Sequence, residues 1–198
     1  MHGLGQGSLL DARTELPAGM RYVEDFLDVE EEAGLLQSIA GVAMQHARYK
    51  AYTAQRRTAG FGVMFDFEGN RVVDASPIPA FLRSLRARVA HLIQVDEERF
   101  AHALITEYST GAALGWHRDV GAFGVIAGVS LGCGCLMRLR PYPAPAGRNG
   151  PRVNLQLAPR SMYVLRGEAR WAWEHAIPST PGLRHSITFR TLRHRSEG

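Results

Sequence analysis

The residues best suited to chemistry in this chain are His117 and Asp119, in Trp116-His-Arg-Asp119, and His175, in Trp173-Glu-His175. Two imidazoles and one carboxylate can occupy one face of an octahedral Fe(II), leaving three positions open for a co-substrate and O2. Such a centre supports oxidation, whereas a closed four-ligand zinc site would support only folding. On extended backbone the side chains of His117 and Asp119 leave on the same side and can grip one ion. On a helix they would point roughly 200° apart, so the pair needs a strand beneath it. His-x-Asp alone arises often by chance, and a histidine beside Trp171 and Trp173 can equally be a packed core residue.

A second segment changes the balance. In Arg184-His-Ser-Ile-Thr-Phe-Arg190, strand alternation puts Arg184, Ser186, Thr188 and Arg190 on one face and Ile187 and Phe189 on the other. Two arginines and two hydroxyls pointing inward from a core strand would be costly without an anionic partner, and a bound dicarboxylate removes that cost. The alternative is an edge strand whose polar face meets water.

The elements that must position these groups are mostly short strands. Candidates are His102–Ser109, Val125–Leu131, Cys135–Arg140, Arg152–Leu157, Ser161–Arg166, Trp171–Ile177 and His185–Leu192, separated by turn residues. Pro141 to Pro151 reads as a long connecting loop. Many short strands without intervening helices argue a sandwich or jelly roll, not a parallel α/β sheet. Upstream, Asp28-Val-Glu-Glu31 has the form of a capping box and predicts a helix from Val29 to Ala40, stopped by Gly41. Gly60 to Phe67 reads as a strand turning through Glu68-Gly-Asn70 into Arg71–Asp74. Ser76-Pro77 predicts the start of a second helix, with Ser as N-cap and Pro at the first helical position. Its apolar stripe is Ile78, Phe81, Leu82, Leu85, Val89 and Leu92, and Arg83, Arg86 and Arg88 lie off it as a solvated face. The expected organisation is one domain: a loose lead-in over 1–20, helices and a lid over 21–100, and a catalytic core over 101–195.

With 198 residues, 45% hydrophobic and 21% charged, the chain has enough material for a real core, and disorder is not the default. No run of about 18 apolar residues is present to span a membrane, and residues 1–10 lack the pattern of a secretory signal. Cys133 and Cys135 are badly placed for a disulfide, so a reduced, cytoplasmic protein is expected. The net charge is +4, and of 23 basic residues only Lys50 is a lysine. Arginine suits bidentate phosphate contacts, although a GC-rich genome also favours it.

From Leu104 to Leu192 the chain resembles the AlkB family of Fe(II)/2-oxoglutarate dioxygenases, which oxidatively demethylate nucleic-acid bases. The matching pieces are Leu-Ile-Thr-Glu-Tyr108, Gly111, His117-Arg-Asp119, Val-Ser-Leu-Gly132, Arg-Gly-Glu-Ala-Arg170, His175 and Arg184-x-Ser-x-Thr-Phe-Arg190. The resemblance implies a mainly β fold with flanking helices around a double-stranded β-helix (jelly-roll) core. It implies Fe(II) held by His117, Asp119 and His175, with 2-oxoglutarate and O2 as co-substrates. Arg184, helped by Tyr108, would take the far carboxylate of 2-oxoglutarate, with Arg190 nearer the metal-bound end. Thr106 and Ser186 stand where the best-known members carry asparagine, keeping a shorter hydrogen-bonding group.

The implied reaction consumes 2-oxoglutarate and O2, releases succinate and CO2, and removes an N-methyl group from a base as formaldehyde. The base must leave its stack, to be held between aromatic and arginine side chains. Trp116, Arg118, Tyr52, Phe61, Arg56 and Arg57 are the candidate contacts. Arg118, lying between two ligands, should point away from the metal and serve as a supporting or phosphate-binding group. The expected partner is alkylated single-stranded DNA or RNA, bound by a monomer. The alternatives are a same-fold oxygenase acting on a protein, lipid or small molecule, a binding module without activity, and a zinc hydrolase. The last two leave complete ligands or the two arginines without a purpose.

Overall fold

The computed structural model describes residues 15–49, 52–144 and 151–193, with backbone alone between 47 and 54. Most of the lead-in expected over 1–20, the middle of the loop from Pro141 to Pro151 and the chain beyond 193 lie outside the described residues.

Two antiparallel sheets face each other. The major sheet runs β1 (Met20–Val23), β10 (Met162–Leu165), β7 (Phe123–Gly132), β12 (Arg184–Leu192), β5 (Phe100–Tyr108), β3 (Tyr52–Asp66) and β2 (Gln45–Tyr49), and β4 (Arg71–Asp74) pairs with the far end of β3. The minor sheet runs β6 (Leu114–His117), β11 (Trp173–Ile177), β8 (Cys135–Pro141) and β9 (Val153–Leu157). This is the jelly roll expected from the sequence, with β12 at the centre of the major sheet and not at an edge.

Each face of the major sheet has its own core. The outer face presents Ala103, Ile105, Ala127, Val129, Ile187 and Phe189 to α1 (Val29–Ala40) and α2 (Arg83–Ile93). The inner face and the minor sheet enclose a second cluster containing Tyr108, Phe123, Tyr163, Met137, Leu139 and Leu157. Ile187 and Phe189 thus point into apolar packing while Arg184, Ser186 and Thr188 are buried on the other side.

Helix α1 has the expected bounds. The Asp28 carboxylate accepts from the Glu31 amide at 2.7 Å, and the Glu31 carboxylate accepts from the Asp28 amide at 2.9 Å. Such a box contributes about 1 kcal/mol. The second helix starts later than Ser76-Pro77 predicts. A 3-10 turn at Ala80–Leu82 leads into α2 at Arg83, and Pro79 is extended, with φ −57° and ψ 146°. A residue before proline is pushed out of the α region, so Ser76 and Ile78, each preceding a proline, disfavour helix until Pro79 has passed. The apolar stripe is real, with Leu82, Leu85 and Val89 buried. The arginines off it are not simply solvated: Arg86 pairs with Glu97 at 2.8 Å, and Arg88 joins Glu31 and the Phe26 carbonyl, while Arg83 is exposed.

Two further differences bear on the site. Trp171 ends a short helix, α3 (Glu168–Trp171), so β11 begins only at Trp173. Strand β3 is longer than expected and passes Gly62 at φ +78°, where a Cβ would stand 2.1 Å from the Ala101 carbonyl oxygen. Only glycine lets the strand run that close to β5 before it departs to pair with β4. Cys133 sits in the β7–β8 turn and Cys135 opens β8, both as free thiols.

Candidate active site

Strands β6 and β11 pair antiparallel with His117 directly opposite His175, and the two rings lie 4.3 Å apart between centroids. The His117 Nδ1–H donates to the Gly115 carbonyl at 2.9 Å, which makes Nε2 the ring nitrogen available to a metal. Asp119 lies just past the end of β6, so strand alternation is not what brings it to the histidines. Arg190 does so from across the pocket, donating from Nε and Nη2 to Asp119 Oδ1 at 2.9 and 2.7 Å. The other oxygen, Oδ2, is 3.9 Å from His175 Nε2. One ligand atom from each of His117, Asp119 and His175 lies within 4.8 Å of the others, the spacing of a metal's facial ligand set.

The electrostatics suit a cation. Burial, then His117 and the arginines nearby, lower the His175 pKa to about 3, so the imidazole is neutral and able to ligate at neutral pH. Burial alone would raise the Asp119 pKa, but Arg190, His175, His117 and Arg170 together hold it well below the usual carboxylate range. His102, lowered to about 3 chiefly by burial and by Arg190, is neutral as well. Its Nδ1 accepts from Arg190 at 3.2 Å and its ring stacks on Phe123, so Arg190 is braced from behind while it grips Asp119.

The loop after Asp119 is built around Arg170. This buried guanidinium donates to the carbonyls of Asp119, Val120, Phe123 and Gly124 at 3.2, 2.8, 2.8 and 3.1 Å. Arg170→Ala is expected to take one donor from each of these carbonyls, of which Val120 keeps the Phe123 amide at 3.0 Å, at about 1–3 kcal/mol for each one left buried and unpaired. Metal affinity should fall roughly 10–100-fold, the usual effect of losing a group that orients a ligand. Thermal melting and a metal titration check this, and wild-type values for both would show that the loop holds itself.

The pocket floor is the inner face of the major sheet. Along the register, Arg56, Tyr108, Arg184 and Gly132 form one row, and Thr58, Thr106, Ser186 and Ser130 form the next. Arg184 is 1% exposed; its Nε donates to Ser130 Oγ at 3.1 Å and its guanidinium lies 5.0 Å from the centre of the Tyr108 ring. Its Nη1 is buried without any hydrogen-bond partner among the described residues. A buried cation with an unused donor is a receptor for an anion, and a carboxylate fits it. Both requirements of a metal-bound 2-oxo acid are thus present: three ligands at one end and an under-satisfied arginine at the other.

The proposed base contacts fare differently. Arg56 shares the pocket face with Tyr108. Arg57 is on the opposite face, forked onto Glu107 at 2.8 Å, and Glu107 also meets His185. Phe61 packs against the outer core beneath the helices. Trp116 points away from the His117 side of its sheet and is covered by Arg140, 4.2 Å from its ring centre. Arg118 donates to the Trp171 carbonyl and stacks on Tyr142 at 3.6 Å, away from the metal ligands as expected. The side chain of Tyr52 lies outside the described residues. Sequence reading missed Ser130, His102, Arg170 and Tyr163. Ser130 and Arg170 lie in the motif pieces Val-Ser-Leu-Gly132 and Arg-Gly-Glu-Ala-Arg170, which carried a signal without a role. Phe65 was also passed over as a site residue; it packs toward the inner cluster, and its neighbour Phe67 is 73% exposed.

Jelly-roll sheets with a His/Asp/His cluster at one end and a buried arginine at the other define a metal-dependent oxygenase. Comparison with known proteins agrees. The model of the 2OG-Fe(II) oxygenase superfamily matches residues 19–190, and the chain belongs to that superfamily, among its AlkB-like members. It is 32% identical over 193 residues to an Arabidopsis thaliana protein named Alkylated DNA repair protein ALKBH8 homolog, a match covering 86% of this chain and 54% of that one. It is 29% identical over 169 residues to the Mus musculus tRNA (carboxymethyluridine(34)-5-O)-methyltransferase ALKBH8, covering 82% of this chain and 24% of the mouse protein. The chain therefore spans about half the length of the plant relative and a quarter of the mouse one. The fold is shared with OsALKBH1 (TM-score 0.64, 12% identity, covering 89% of this chain and 100% of that one). It is also shared with a prolyl hydroxylase from Trichoplax adhaerens (TM-score 0.61, 15% identity, covering 88% and 83%). Members of the superfamily use Fe(II), 2-oxoglutarate and O2, and the donor set found here suits all three.

Proposed function

We propose that this chain oxidatively demethylates N-alkylated bases in DNA or RNA, releasing formaldehyde, succinate and CO2. The observation that carries the oxygenase chemistry is the half-paired, buried Arg184 on the same face of β12 as Arg190, which holds Asp119 beside His117 and His175. In this reading the three clustered residues hold Fe(II). Arg184 and Tyr108 hold the far carboxylate of 2-oxoglutarate, and Thr106 and Ser186 line its path. Arg190 fixes Asp119 at the metal end. Iron with its co-substrates supplies the oxidising step, and the chain supplies position, charge and exclusion of water.

Nucleic acid as the substrate class is supported by the names of the AlkB relatives and by a net charge of +4 carried almost wholly by arginine. Arg56 on the pocket face, with Phe65 and Phe67 on the β3–β4 hairpin, takes the part that Arg57, Phe61 and Trp116 cannot. The test is mass spectrometry of oligonucleotides carrying 1-methyladenine, 3-methylcytosine and related bases after incubation with the iron-loaded protein and 2-oxoglutarate. Loss of one methyl mass with release of formaldehyde is expected, and binding should weaken with salt. If no base loses a methyl group while 2-oxoglutarate is still consumed, demethylation fails and the oxygenase reading stands. The relatives named as tRNA methyltransferases favour one second reading, oxygenation of a modified tRNA nucleoside, seen as a gain of one oxygen mass in tRNA.

A further inference from the structure

Tyr163 enters the same pocket from β10, and neither the motif pieces nor the resemblance gives it a role. Its register partner on β7 is Gly128, whose partner on β12 is Thr188. The Tyr163 ring lies directly on Gly128. A Cβ at Gly128 would stand 2.4 Å from two ring carbons and 2.6 Å from the hydroxyl oxygen. Any side chain there would expel the ring. A glycine inside a central strand weakens it, because nothing packs in its place; here the phenol of the neighbouring strand fills that place. The ring crosses β7 toward β12 at the level of Thr188, between the levels of Arg184 and Arg190.

The surroundings of the phenol are those of the co-substrate pocket. Tyr163 is 7% exposed, and its hydroxyl makes no hydrogen bond among the described residues. The groups that act on it are Asp119, Tyr108, Arg184 and Arg190, and burial followed by Asp119 raises its pKa, so it remains a protonated donor.

We propose that Tyr163 is a further co-substrate-holding residue, whose hydroxyl donates a hydrogen bond to the 2-oxo acid anchored by Arg184, with Gly128 as the space that admits it. The proposal rests on the pocket reading above, so its test keeps the two apart. Anaerobic protein loaded with Fe(II) is titrated with 2-oxoglutarate, following the visible charge-transfer band and, separately, the heat of binding. Tyr163→Phe removes only the hydroxyl and is expected to weaken 2-oxoglutarate binding roughly tenfold or more, as loss of a hydrogen bond to a charged group does. Metal affinity and thermal midpoint should stay at wild-type values. Gly128→Ala, which closes the space, should weaken binding at least as much. Wild-type affinity in Tyr163→Phe, with weakened binding in Arg184→Met, would overturn the role of Tyr163 and leave the pocket reading standing. Wild-type affinity in both variants, or no binding by the wild-type protein, would overturn both.

Discussion

Alanine at His117 or His175 is expected to abolish 2-oxoglutarate turnover while leaving the fold in place, whereas alanine at Asp119 should abolish turnover and also destabilise the protein. The difference comes from what each side chain holds before any metal binds. His175 is neutral, with a pKa lowered to about 3 chiefly by burial, so removing it strands no charge, and among the described residues His117 hydrogen-bonds only the Gly115 carbonyl, so removing it strands no charged partner. Asp119 is the carboxylate partner of Arg190, whose side chain is 12% exposed. Without it a buried guanidinium keeps the neutral His102 and the face of the Phe123 ring but no anionic partner among the described residues, and stripping one member from a buried pair costs about 3–5 kcal/mol. That is a large part of the roughly 5–15 kcal/mol that stabilises a typical domain. Loss of turnover should exceed the roughly 10–100-fold that follows from losing a group behind a ligand. Metal titration, 2-oxoglutarate consumption and thermal melting of the three variants check the pattern. Full turnover in His175→Ala would sink the ligand assignment, and an unchanged melting midpoint in Asp119→Ala would sink the account of Arg190.

What was legible in the sequence is what depends on local spacing. The β12 alternation of Arg184, Ser186, Thr188 and Arg190 against Ile187 and Phe189 fixes one strand with two different faces, and the fold uses both. The capping box of α1 is equally local. What was not legible depends on which face is inside. In a strand, a step of one residue moves a side chain to the other side of the sheet. Arg56 and Arg57 are adjacent and chemically identical, yet one faces the pocket and the other is forked onto Glu107. Trp116 sits next to His117 and lands on the wrong side for the same reason. Arg170 shows a second limit: a guanidinium that organises a loop through four carbonyls reads, as a letter, like any solvated arginine. Tyr163 shows a third, because its place depends on a glycine 35 positions earlier in the chain, on the neighbouring strand.

Arg184→Met should separate stability from binding more sharply than any other change in the pocket. Arg184 is held by Ser130 through Nε and lies beside the Tyr108 ring, but its Nη1 has no hydrogen-bond partner among the described residues. In the protein without co-substrate this is a buried charge incompletely compensated, and such groups are often neutral or stabilising to replace with an apolar side chain of similar length. Methionine is unbranched, flexible and apolar and can fill much of the space of the arginine stem, so the thermal midpoint is expected to hold or rise. With co-substrate the account reverses. The bound carboxylate loses the only guanidinium on its row that is fully buried, and truncating one side of a buried hydrogen-bonded charge pair costs about 2–5 kcal/mol. That corresponds to at least about 30-fold weaker 2-oxoglutarate binding. Arg184→Lys should fall between, since an ammonium keeps the charge but not the planar fork. The measurements are the melting midpoint of the metal-free protein and the apparent affinity for 2-oxoglutarate with Fe(II) present. A large loss of stability in Arg184→Met would show that the arginine is a structural element already satisfied, and unchanged affinity would show that the acid binds elsewhere. Higher stability with lost binding is the result that marks Arg184 as kept for its ligand at a cost to the fold.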